Sequence, residues 1–127
     1  MNQDKEIFSL NKRVKSFGHA WRGICIFIKT QKNSWIQLFA SFIVIIAGLY
    51  FNLSSYEWIA LVIAIGAVFM AEAFNTAIEI DMDLTSPDYH PRARDTKDVA
   101  AGAVLIASLT ALIIGLIIFL PKIISLI

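Results

Sequence analysis

The sequence predicts an all-α integral membrane protein, with an N-terminal amphipathic surface helix followed by three transmembrane helices. Three observations predict it. Apolar residues make up 57% of the 127 residues and mean hydropathy is +0.68, while charged residues are only 17%. Two charge-free stretches, 33–56 and 99–121, are each long enough to cross a bilayer, and a third apolar run between them is broken by a single acid, Glu72. The lone cysteine, Cys25, excludes an intrachain disulfide. A soluble three-helix bundle would need polar faces that these segments lack.

The first 33 residues are charged and contain no apolar core of the kind a signal peptide has. Phe17, Trp21, Ile24 and Ile28 recur at helical spacing, and Lys15, Arg22 and Lys29 recur every seven residues on the opposite side. That pattern suits a basic amphipathic helix lying on an anionic membrane surface; a helix packed on a partner protein would show the same pattern. The spans are expected at 35–52, 56–83 and 98–120, in a single domain covering 1–127. The second is longer than a bilayer requires and should protrude on one side.

Basic residues set the expected topology. Seven of the 11 precede the first span, three (Arg92, Arg94, Lys97) lie between the second and third, and Lys122 ends the chain. The short connection 52–56 has none. By the positive-inside rule the N-terminus and the 81–97 loop face the cytoplasm. Trp35, Tyr50, Tyr56 and Trp58 stand near span ends, where aromatic belts form. No nucleic-acid partner is expected.

The segment from Ala71 to Asp83 carries the chemistry. On an α-helix, Glu72, Glu79 and Asp83 fall within about 40° of one another, flanked by Asn75 and Thr76. Glu72 lies about 10 Å deeper than Glu79. A carboxylate within a membrane helix is costly, and such acids mark function more often than packing. At that depth Glu72 meets lipid headgroups and suits a general base. Glu79 and Asp83, nearer water, suit Mg²⁺, a hard ion that takes oxygen ligands and shares them with nucleotide phosphates. Lys97 and Asp98 open the third span and can add a phosphate-binding cation and a further acid. Gly18 and Gly23 have the spacing of a P-loop, but Ile24 and Cys25 replace its Lys and Ser/Thr, so a soluble-type nucleotide loop is absent. Two cytoplasmic pieces totalling about fifty residues are too small for a separate ATP-binding domain.

Glu72-Ala-Phe-Asn75-Thr-Ala-Ile-Glu79, then Asp83, Tyr89-His90 and Lys97-Asp-Val-Ala-Ala-Gly-Ala-Val, closely resembles the small bacterial membrane diacylglycerol kinase/undecaprenol kinase family. The resemblance runs from Phe17-Gly-His-Ala-Trp-Arg-Gly23 onward. Ser86-Pro-Asp-Tyr-His90 looks more like the Gram-positive-type undecaprenol kinase branch. The resemblance implies a homotrimer in the bacterial inner membrane, N-terminus cytoplasmic. It implies ATP- and Mg²⁺-dependent phosphorylation of a lipid alcohol at a composite site on the cytoplasmic boundary. Glu72 matches the family's proposed base, Asn75 the asparagine beside it, and Glu79 a magnesium ligand. Asp83, Lys97 and Asp98 match residues at the nucleotide, and Lys12 and His19 complete the candidate substrate- and nucleotide-binding set.

One position departs from the family. Its usual Thr-Glu-x-Asn, whose Glu is a second magnesium ligand, reads Thr30-Gln31-Lys32-Asn33 here. A glutamine carbonyl can still face Mg²⁺ with one charge fewer, so weaker metal binding, or compensation by Asp81 or Asp83, is expected. Two other readings of the membrane acid compete: a small multi-span transporter using Glu72 as its proton site, and a non-catalytic assembly subunit.

Overall fold

The computed structural model describes residues 2–127, with side chains from residue 9 onward; the side chain of Lys5 lies outside the described residues. Four helices follow one another: α1 (Asn2–Thr30), α2 (Lys32–Tyr50), α3 (Ser55–Thr85) and α4 (Pro91–Ile124). The chain forms two units, 1–32 and 33–127. The first is essentially α1, on which Phe17, Trp21 and Ile24 are exposed.

In the second unit, α2, α3 and α4 are each long and apolar enough to cross a membrane. A Schellman motif ends α2. Asn52 takes a left-handed conformation (φ 52°), the amide of Leu53 bonds the carbonyl of Gly48 at 3.2 Å, and that of Asn52 bonds Leu49 at 3.4 Å. Asparagine tolerates that conformation better than any β-branched residue, so the chain reverses here within four residues. Ser54 then caps α3, its hydroxyl accepting from the amide of Glu57 at 3.3 Å. At the start of α4, His90 is the N-cap and Pro91 takes the first helical position, where a missing amide hydrogen costs nothing.

Packing centres on Leu53, Leu61 and Ile118, with Val44, Trp58 and Phe119 against them. A Cβ on Gly48 would lie 2.7 Å from the Trp58 ring and 3.0 Å from Leu53, so only glycine lets the turn close on that indole. Elsewhere the apolar residues face outward: Phe39, Phe42, Ile63, Leu105, Ile106 and Ile117 are all exposed. Such a surface suits lipid or neighbouring protein, not water.

α3 packs along α4 in antiparallel fashion, with ion pairs at both ends. Lys97 lies 2.7 Å from Asp83 at one end, and Lys122 lies 3.0 Å from Glu57 at the other. Glu57 and Asp83 are about 39 Å apart along the helix, close to the thickness of a bilayer with its interfaces. The long stretch between them contains charge only near one end, at Glu72, Glu79 and Asp81.

Candidate active site

Regular helix over Ser55–Thr85 puts the acids of α3 in line. Glu72 is the deepest, and its side chain is buried, with only 8% of the residue exposed. The Gln37 amide on α2 donates to Glu72 Oε1 at 2.8 Å. Among the described residues no cation pairs with Glu72, and its cross-helix partner is a neutral amide. One turn on, the hydroxyl of buried Thr76 bonds the Glu72 carbonyl at 2.9 Å, an ordinary way for a helix interior to absorb a hydroxyl.

Asn75 and Glu79 form the next level. Asn75 Nδ2 donates to Glu79 Oε1 at 3.3 Å, while Asn75 Oδ1 is buried with no hydrogen-bond partner. An orphaned carbonyl oxygen beside a carboxylate is a pair of hard donors of the sort Mg²⁺ takes. Among the described residues, no three His, Cys, Asp or Glu side chains converge to hold a metal by themselves. Magnesium usually takes only one or two protein carboxylates and completes its shell with phosphate oxygens and water.

At the end of α3 the site opens into a pocket of about 390 Å³, lined among others by Asp83, Tyr89, His90, Arg94, Lys97 and Asp98. The Lys97 ammonium is held above the ordinary lysine range, first by its hydrogen bond to Asp83 and further by the charges of Asp83 and Glu79, against some desolvation. It is therefore a permanent cation on the pocket wall, reaching back towards the acidic line. Asp98 pairs with Arg94 at 3.8 Å, both exposed. His90 Nδ1 accepts from the amide of Arg92 at 3.1 Å, which fixes the ring at the rim.

Within the three-helix unit Gln37 meets Glu72, Asn75 meets Glu79, and Asp83, Lys97 and Asp98 line one pocket. Lys12, His19 and Gln31 belong to the N-terminal unit: the first two are exposed on α1, and Gln31 stands at the break before α2. Sequence reasoning missed Gln37. Its signal was a long amide in an otherwise apolar segment, one helical turn from both Asn33 and Ser41. Nothing local linked it to an acid 35 residues away.

Residues 18–119 match the family model for prokaryotic diacylglycerol kinase. The chain is 44% identical to the undecaprenol kinase of Bacillus subtilis over 113 residues, covering 89% of this chain and 92% of that protein. It is 38% identical to a diacylglycerol kinase of Synechocystis over 112 residues, covering 87% of this chain but 64% of that longer protein. The diacylglycerol kinase of Escherichia coli is 24% identical over 107 residues, 79% of this chain and 82% of that one. A match across most of the chain, from within the N-terminal helix into the last turns of the third apolar helix, shows that it belongs to the prokaryotic diacylglycerol kinase family and is a lipid kinase.

Proposed function

We propose that the protein transfers the γ-phosphoryl group of MgATP to the hydroxyl of a membrane lipid alcohol, undecaprenol or diacylglycerol. The observation that carries this reading is the buried carboxylate of Glu72, aligned with a ladder of polar groups that ends at a cation-lined pocket. The lipid hydroxyl approaches Glu72 from the membrane. The nucleotide enters the pocket of Asp83, Lys97 and Asp98, with its terminal phosphate directed along the stripe.

Glu72 accepts the hydroxyl proton as the alcohol oxygen bonds to the γ-phosphorus and the bond to the departing ADP breaks. Lys97 neutralises phosphate charge, and Asp83 holds its ammonium in place. Asn75 and Glu79 would hold Mg²⁺, with Gln31 at the position of the family's second ligand. When bound, the ion would supply positive charge to offset the negative charge that builds on the phosphoryl group. Lys12 and His19 join the substrate- and nucleotide-binding set from α1.

The reading extends to the assembly: a homotrimer in the bacterial inner membrane, N-terminus cytoplasmic, with α1 on the membrane surface as an amphipathic helix. Phe17 is 77% exposed and Trp21 is exposed one turn away, which suits insertion among headgroups. The transporter alternative has no support from membership of a kinase family. The experiment is transfer of label from radiolabelled ATP to undecaprenol, diacylglycerol and ceramide by the purified protein in micelles. Labelling of one of the first two is expected. No labelled lipid in any arm would refute the reading.

A further inference from the structure

We propose that Gln37 is a positioning residue for Glu72, fixing one carboxylate oxygen from the neighbouring helix so that the other is presented to the acceptor hydroxyl. The inference rests on Glu72 acting as the base and assigns a role to a residue outside the acidic stripe and the pocket.

Gln37 Nε2 lies 2.8 Å from Glu72 Oε1 and donates to that carboxylate from the neighbouring helix. Oε2 is not among the polar atoms sealed from solvent without a partner. On this proposal the base is tied at Oε1, and Oε2 is the oxygen that meets the hydroxyl. A carboxylate on a single flexible side chain samples several rotamers, and one hydrogen bond from a second helix removes most of that freedom.

The amide stabilises the buried carboxylate, yet it is itself only half satisfied. Gln37 Oε1 is buried with no partner, a cost that an apolar residue of similar shape would avoid. The rest of α2 around it (Trp35, Ile36, Leu38, Phe39) is apolar. The donor is also neutral. A lysine or arginine at this place would lock Glu72 in an ion pair and compete with the incoming proton. An amide orients the carboxylate and leaves it free to take that proton.

The test is steady-state kinetics of the full chain in micelles, with MgATP and the lipid alcohol that the wild type phosphorylates. Gln37→Met keeps length and removes the donor: kcat should fall about 10- to 100-fold with KM for MgATP held within about twofold. Gln37→His, which restores an N–H donor, should recover most of the loss. In a Glu72→Asp background, whose shortened acid no longer reaches position 37, Gln37→Met should cost less than about twofold more. Wild-type kcat in Gln37→Met, no recovery with Gln37→His, or an equal fold-loss in both backgrounds would overturn the proposal. If Gln37→Met loses nucleotide binding and so fails to fold, Gln37→Asn, which withdraws the amide by one methylene, takes its place: the same fall in kcat supports the proposal and wild-type kcat overturns it. Glu72→Gln separates the underlying reading: full turnover there removes the base itself, whereas an inactive Glu72→Gln beside a fully active Gln37→Met removes only the role of Gln37.

Discussion

The ammonium of Lys97, near the start of α4, lies 2.7 Å from the carboxylate of Asp83, near the end of α3. This pair joins the acidic line to the pocket that would receive a nucleotide. Both side chains are substantially exposed, so the contact adds little to stability in water. Its value lies in placing a cation. Lys97→Met is predicted to lower kcat/KM for MgATP by about 100-fold while leaving the melting temperature nearly unchanged. Steady-state kinetics alongside a thermal melt measures both quantities.

The same contact sets a pH dependence. Asp83 first, then the nearby charge of Glu79, raises Lys97 above its ordinary value of 10.5. A folded-state value above the unfolded one means that the interaction is fully present below the ordinary lysine range and is lost only as pH rises through the raised value. KM for MgATP should therefore show no contribution from Lys97 titration between about pH 6 and 9. Asp83→Asn should make nucleotide affinity begin to fail at lower pH than in the wild type, as read from KM against pH.

The proposed function predicts metal dependence. Chelating divalent cations is predicted to abolish turnover, with restoration by added Mg²⁺. Glu79→Gln should raise the Mg²⁺ concentration for half-maximal activity by about tenfold, and Gln31→Glu should lower it, because each changes the negative charge offered to a hard cation. A magnesium titration of the three proteins at saturating ATP compares them. An unchanged titration in Gln31→Glu would remove position 31 from the metal's surroundings.

Gly48 supports the α2–α3 turn. Gly48→Ala is predicted to destabilise the protein by about 1–3 kcal/mol, since the new methyl meets the rigid Trp58 ring at 2.7 Å. Gly48→Ala/Trp58→Leu should recover part of that loss. Thermal melts in detergent measure both. Activity at permissive temperature should be kept, because the turn lies at the far end of α3 from Asp83.

Much of the membrane architecture was legible because hydropathy over long windows needs no tertiary information. The three apolar helices stand out in composition alone, and the 3.6-residue repeat already aligns Glu72 with Glu79 and Asp83. What escaped were relationships between helices. Gln37 reads as one amide in a greasy segment until α2 is set against α3. Gly48 reads as a tolerated small residue until Trp58 is folded over it. The pairing of Asp83 with Lys97 was also out of reach: both were legible as candidates, but their 2.7 Å contact depends on a short connection whose course periodicity does not describe. α4 begins at Pro91, ahead of the span expected from 98, because His90 capping and proline chemistry start a helix that a hydropathy window ignores.

The central claim is that Glu72 takes the proton of a lipid alcohol. The most direct measurement is label transfer from radiolabelled ATP to the accepted lipid by wild type and by Glu72→Gln, with nucleotide binding followed in parallel. The predicted result is a drop in transfer of about 10²–10⁴-fold in Glu72→Gln, the range general-base catalysis contributes, with nucleotide affinity retained. Transfer at the wild-type rate by Glu72→Gln would contradict the account.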